Sequence, residues 1–321
     1  MMQDPIYSQI TDTPRPTLTA ASGFVWLAAI GLWLAELVLL ALPEGIRGSM
    51  AVQNAAYYLP FIALPLALAL RRRPGLAGSM RLNPLPAIPT LSLALLAVLS
   101  VYAASVLTAL WGAGLDALGL RGVGGAALPR TRQELALSIV TMAAFPAVCE
   151  ELLFRGFALA AWESRGTWYA VGVTTGLFAL LHGNLYGLPA YLLVGAVAGF
   201  ATVTLDTVYA GITYHTIYNA ACLVIPWLLA QSGGDAAEAG PLPILPLLLE
   251  EATILALMAT LLASLRLRAR DRGFVPIPRI RRPLEGRDRA MLLVAVGCML
   301  ITLLVVQLLA VRAAAEIGGA L

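Results

Sequence analysis

Nine apolar stretches, each close to the length that crosses about 30 Å of hydrocarbon, follow one another with short connections along 321 residues. They run roughly over 18–42, 50–70, 87–112, 135–161, 168–186, 188–205, 211–231, 243–265 and 290–311. A chain built this way folds as an all-α, polytopic transmembrane bundle of about eight or nine spans. Composition agrees: 60% of the residues are hydrophobic and 12% charged, against about 25% charged in a soluble domain. Mean hydropathy is +0.83. The shortest connections, at Gly187-Leu188-Pro189 and from Asp206 to Gly211, are where a re-entrant segment could hide.

The formal charge of +3 does not point to nucleic acid, because the basic residues cluster as a topology signal. Every one is arginine, and nine lie between Arg266 and Arg289. With Arg71, Arg72, Arg73, Arg81 and Arg165 they fall on one side of an alternating series of spans. Arg47, Arg121, Arg130, Arg132, Asp235 and Glu238 fall on the other. The positive-inside rule then predicts a cytoplasmic N-terminus and an outer C-terminus in a multi-pass protein of the inner (plasma) membrane. Residues 1–16 read as a disordered tail without the basic start of a signal peptide. Residues 17–132 read as N-terminal transmembrane helices, and 231–321 as C-terminal ones with the basic cytoplasmic loop 266–289. Cys149, Cys222 and Cys298 are scattered singly through apolar stretches, which argues against a disulfide framework.

Charged groups inside a bilayer are costly, about 2.5 to 3.5 kcal/mol each on insertion scales, and mark functional sites. Glu150-Glu151-Leu152-Leu153-Phe154-Arg155 puts three in one apolar stretch. On a helix Glu151 and Arg155 share a face and can pair, while Glu150 is rotated about 100° away. One carboxylate is thus held and the other left free, and an unpaired carboxylate in a dehydrated setting is suited to act as a base near neutral pH. The chain has only two histidines, both in later apolar stretches: Phe178 and His182 share one helical face, His215 and Asn219 another. At 1.5 Å per residue, Glu150 lies about 16 Å, His182 about 21 Å, Asn219 about 12 Å and His215 about 6 Å from the cytoplasmic ends of their spans. The four could therefore meet in the cytoplasmic half of the membrane.

Glu-Glu-x-x-x-Arg, Phe-x-x-x-His and His-x-x-x-Asn, in this order on successive apolar stretches, resemble the CPBP family of intramembrane glutamic endopeptidases. These comprise CAAX prenyl protease 2 and its bacterial, Abi-like relatives. The resemblance covers about Gln133 to Ala230, so 133–230 is the expected catalytic core. Nine spans would be one more than the family's eight. The resemblance implies an endopeptidase in which Glu150 and His182 activate a water for attack on a peptide carbonyl. His215 and Asn219 would then stabilise the oxyanion, with Glu151, Arg155 and Phe178 in support. It implies neither cofactor nor metal, and as partners a membrane-associated protein or peptide substrate and the lipid bilayer.

Other readings use overlapping residues. Cys149 precedes Glu150 and could be a nucleophile, but apolar burial beside a carboxylate disfavours the thiolate. Glu150 with both histidines could form a zinc set, yet the His-Glu-x-x-His spacing is missing. Glu250-Glu251 has Leu255 where an arginine would be needed and reads as an interfacial or packing pair. Glu36 reads as a buried hydrogen-bonder or a cavity residue. The alternative from another class is a non-enzymatic membrane scaffold or immunity protein of the same family; transport is weaker, because no inverted repeat is visible. Nothing in the sequence encodes a pocket for a prenylated CAAX tail.

Overall fold

The computed structural model describes residues 16–47, 49–71, 80–120, 122, 128–231, 244–278 and 283–318. Residues 1–15 of the expected tail, and Arg72, Arg73, Arg121, Asp235, Glu238, Arg279, Arg281 and Arg282, lie outside them. Apart from single turns, the chain forms helices α1 (Leu18–Ala41), α2 (Met50–Arg71), α3 (Ala87–Ala117), α4 (Arg132–Arg165), α5 (Thr167–Leu181), α6 (Leu188–Leu205), α7 (Val208–Gln231), α8 (Ile244–Asp271) and α9 (Gly286–Gly318). No strand occurs among the described residues. Seven helices, all but α2 and α5, are long and apolar enough to cross a membrane. The chain is an all-α, multi-pass helical bundle, as its apolar pattern requires. A helix satisfies its own backbone hydrogen bonds where lipid cannot.

The bundle is organised around α4, which packs against α1, α2, α5 and α7, while α3 closes on α6, α7 and α8. Two π-helical stretches, Ile139–Ala144 and Leu152–Ala158, bracket the α-helical turns Phe145–Glu151 of α4. Such wider turns recur at functional sites, because they re-aim side chains within an otherwise regular helix. From Leu153 to Glu163 every side chain of α4 is buried.

The fifth apolar stretch differs from expectation. It forms only the 15-residue α5, about 22 Å long. His182 is its C-terminal cap instead of a mid-span residue. Gly183 follows at φ +60°, where glycine avoids the Cβ penalty of the left-handed region. The turn 183–187 then reverses the chain into the 18-residue α6, so the weak boundary at Gly187 conceals a short helix pair. The seventh span starts at Val208, three residues before the apolar pattern suggested.

The arginine-rich end is locked by one polar cluster. Arg81 donates to Glu163, and through Nε to Asp206 at 3.1 Å, tying the α2–α3 connection to α4 and to the α6–α7 corner. Burial works against the Arg81 charge, and the carboxylates, Glu163 foremost, more than offset it, so its pKa rises. Asn83 Nδ2 donates to the Asp206 carbonyl at 2.8 Å, and Val208 N to the Arg81 carbonyl at 2.8 Å. Among the described residues, Arg81 and Asp206 are the non-glycine residues with positive φ, at 53° and 51°. The cluster thus holds two residues in a backbone region costing of order 1 kcal/mol each. Removing one partner of a buried ion pair costs about 3 to 5 kcal/mol. Arg81→Ala should therefore lower the thermal unfolding midpoint in detergent clearly, and Arg81→Lys only partly; a midpoint unchanged in Arg81→Ala would refute the locking role.

Candidate active site

α4 supplies Glu150, Glu151 and Arg155, the end of α5 Phe178 and His182, and α7 His215 and Asn219. They converge. Arg155 Nη1 donates to Glu151 Oε1 at 2.9 Å, the i, i+4 pairing expected from spacing, with both side chains wholly buried. Arg155 Nη2 donates to the Gly195 carbonyl of α6 at 2.7 Å. The Arg155 guanidinium lies 4.6 Å from the centre of the Phe178 ring, which also meets His182 edge-on at 4.7 Å and His215 at 5.6 Å. The aromatic face thus shares the buried positive charge with two acceptors, and Phe178 spaces both imidazoles.

The histidines are oriented by what their Nδ1 atoms touch. His182 Nδ1 lies 2.9 Å from the Phe178 carbonyl, which can only accept, so this nitrogen carries the hydrogen. His215 Nδ1 lies 3.0 Å from Glu151 Oε1, a carboxylate already paired with Arg155, so it too donates. In the neutral rings both Nε2 atoms are consequently bare acceptors. Both face the same atom, Glu150 Oε2, at 3.9 Å. That oxygen is buried and accepts no hydrogen bond within the protein. Three acceptors around one point favour a proton donor there, and a water with two O–H groups has the valence to serve two of them at once.

Glu150, Phe178, His182, His215 and Asn219 line a cavity of about 290 Å³. Glu151 and Arg155 stand behind it. Tyr58 of α2 and Tyr191 of α6 also line it, and the sequence reading missed both. The Tyr58 hydroxyl hydrogen-bonds the Glu150 carboxylate, and Tyr191 stacks on His182 with centroids 3.9 Å apart and planes 19° from parallel. Their only signal in sequence is a phenol inside an apolar stretch, too common to single out. Cys149 is fully buried and is not among the lining residues, whereas Cys222 is. Glu36 accepts from Tyr57 between α1 and α2, and Glu250 accepts from Tyr102 of α3. Neither lines this cavity.

Depth departs from the sequence estimate. Measured from the polar cluster at Glu163, Thr167 and Thr207, Glu150 lies about 20 Å along its helix, His182 about 22 Å, Asn219 about 18 Å and His215 about 12 Å. All four stand farther from the arginine-rich end than the apolar pattern placed them. The estimate failed because α7 begins earlier than its apolar pattern and α4 runs beyond it, both fixed by the Arg81 cluster.

Two glycines make room for the buried pair. A Cβ on Gly195 would lie 3.3 Å from Arg155 Nη2, and one on Gly211 only 2.5 Å from Glu151 Oε2 and 2.9 Å from Thr202 Oγ1. Helix propensity alone makes Gly→Ala favourable by about 1 kcal/mol, but overpacking costs about 1 to 3 kcal/mol. Gly211→Ala should therefore lower both the unfolding midpoint and turnover at least several-fold. Gly176→Ala on α5, where a Cβ meets open space, should lower neither. Equal behaviour of the two variants would remove the claim that Glu151 needs this niche.

Comparison with known proteins bears on the same segment. No curated protein and no solved structure matches the chain significantly. Residues 132–221, which hold Glu150, Glu151, Arg155, Phe178, His182, His215 and Asn219, match the family described as Rce1-like, type II CAAX prenyl endopeptidase. This segment, set in a multi-pass helical bundle, is thus similar to the CAAX-type proteases, the family that the motifs of the sequence resemble.

Proposed function

We propose that the chain hydrolyses a peptide bond of a membrane-associated protein or peptide, using a water activated by Glu150 and His182. The observation that carries this reading is the convergence of two bare imidazole nitrogens on the one unpartnered oxygen of Glu150, each at 3.9 Å. A water there gives one proton to Glu150 as its oxygen attacks the scissile carbonyl. The carbonyl becomes a tetrahedral oxyanion, and collapse expels the amine, which takes the proton back from Glu150. No covalent enzyme intermediate forms.

The oxyanion needs donors, and one such donor contributes about 3 to 4 kcal/mol. The Asn219 amide offers N–H without any proton transfer. His215, whose Nδ1 is held by Glu151 at 3.0 Å, is the second donor when its Nε2 carries a proton. Glu151, Arg155 and Phe178 act by positioning. Residues 133–230 form the catalytic core between the N-terminal and C-terminal helices. The arginine-rich end faces the cytoplasm in the inner membrane, with the N-terminus on that side.

The scaffold alternative is not favoured, since a structural role requires no open carboxylate flanked by two oriented imidazoles. The thiol reading is weakened by the burial of Cys149 away from the cavity. A zinc set would need Glu150, His182 and His215 as ligands, and among the described residues no three His, Cys, Asp or Glu side chains form a group suited to hold a metal ion.

Glu150→Ala and His182→Ala should each lower hydrolysis at least about 10²-fold while the protein still inserts and keeps its unfolding midpoint. Peptides with new C-termini should disappear from the membrane proteome of a Glu150→Ala strain. Near-normal turnover by either purified variant would remove the mechanism. A protein with Cys149, Cys222 and Cys298 all changed to Ala should keep most of its activity, as should protein dialysed against a strong chelator. Loss in the cysteine-free protein with its fold intact would move the nucleophile to sulfur; loss on chelation, restored by zinc, would reassign Glu150, His182 and His215 as ligands.

A further inference from the structure

We infer, on the proteolytic reading above, that the reactive machinery reaches beyond residues 132–221 to α2, where Tyr58 is a positioning residue that fixes which oxygen of Glu150 meets the attacking water. The placement of its phenol is set by packing. α2 lies against the turns Phe145–Glu151 of α4 that carry both carboxylates. The Tyr58 ring meets Phe145 edge-on, with centroids 5.8 Å apart and planes at 76°, a geometry that aromatic pairs favour. From there the side chain lines the reactive cavity, and its hydroxyl reaches the Glu150 carboxylate.

The two oxygens of Glu150 consequently differ. Oε2 is buried without a hydrogen-bond partner in the protein, so the phenol is bound to Oε1. An ionised carboxylate only accepts, so Tyr58 donates, and such charge-assisted bonds are about twice as strong as neutral ones. The terminal torsion of a glutamate is broad and nearly two-fold, so an unanchored carboxylate exchanges its oxygens freely. With Oε1 tied to α2, that exchange requires breaking the bond. Oε2 therefore stays 3.9 Å from the Nε2 atoms of both His182 and His215, where a water has to stand to be deprotonated. The charged and polar groups around it do not supply this anchor: Arg155 is committed to Glu151 and the Gly195 carbonyl, and both imidazoles give their Nδ1 hydrogens away from Glu150.

Tyr58 also sits at a junction. With Met142 and Pro146 it lines both the reactive cavity and an adjoining one of about 650 Å³ between α2 and the N-terminal half of α4. A ring at such a place can act on substrate by direct contact or through Glu150, and kinetics separate the two. Loss of uniform binding raises KM and leaves kcat, whereas a misaligned base lowers kcat. The neighbouring Tyr57 supplies an internal comparison, since its phenol is bonded to Glu36 of α1 and it lines the larger cavity but not the reactive one. Adjacent residues on a helix point about 100° apart, so the two phenols serve different carboxylates.

Tyr58→Phe removes the hydroxyl and keeps the ring on Phe145. With a fluorescence-quenched peptide that the parent chain cleaves as probe, Tyr58→Phe should lower kcat by about 10- to 10²-fold and leave KM within about two-fold. Tyr57→Phe should change neither. A raised KM with kcat intact, no change in either constant, or an equal loss in Tyr57→Phe overturns the positioning role. Infrared spectroscopy of the chain carrying isotope-labelled glutamate reads the bond itself, without turnover. The difference between parent and Tyr58→Phe should contain a shifted glutamate carboxylate band, and the same difference in a Glu150→Gln background should lack it. A difference spectrum without a band that depends on Glu150 overturns the positioning role as well. If the parent chain cleaves no peptide of a library, the proteolytic reading fails alone, and the infrared difference still decides whether Tyr58 holds Glu150.

Discussion

A guanidinium buried without water has to be compensated on the spot, and in this bundle the compensation of Arg155 fixes everything around it. Arg155 is wholly buried and bonded to Glu151 and to the Gly195 carbonyl, with the Phe178 ring on its face. One carboxylate of the adjacent pair is thereby spent, and its Oε1 takes His215 Nδ1 as well. The consequence reaches the cavity through the imidazole, whose Nε2 is left bare and aimed at Glu150. A positive charge that never meets substrate thus sets the protonation pattern of the group that does. Breaking such a pair costs about 3 to 5 kcal/mol, because it strands the remaining charge in low dielectric.

The two carboxylates differ in partners. Glu151 sits behind the cavity among Arg155, His215 and the niche at Gly211. Glu150, one residue earlier and so rotated onto the cavity side, keeps an oxygen without a hydrogen-bond partner in the protein, 3.9 Å from both imidazole Nε2 atoms. Neighbouring residues of one type acquire separate tasks when their environments differ in this way. The π-helical stretches on either side belong to the same economy of space, since they let α4 present Glu150 to α5 and α7 while its next turns pack wholly inside.

Local geometry was legible in the sequence. The Glu151–Arg155 pair follows from i, i+4 spacing, and the shared faces of Phe178 with His182 and of His215 with Asn219 follow from the same period. The convergence of these faces was signalled by the cost of polar groups in apolar stretches. What sequence missed was decided by contacts distant along the chain. The early end of α5 depends on the turn at Gly183 against Thr302 of α9. Tyr58 matters because α2 packs on α4, and Gly211 because Glu151 lies against it. The depth of the site shifted for a similar reason, since helix ends are set by Arg81, Glu163 and Asp206 and not by where apolar residues begin.

The division of labour between the paired carboxylates is tested most directly by measuring the unfolding midpoint and turnover of Glu150→Gln and Glu151→Gln side by side. The isosteric amide keeps the shape and removes the charge. Glu150→Gln should unfold at or above the temperature of the parent protein and lose hydrolysis by at least about 10², whereas Glu151→Gln should unfold at a clearly lower temperature, its arginine left without a counter-charge. Retained turnover in Glu150→Gln, or an unfolding midpoint in Glu151→Gln equal to that of the parent, would contradict the account.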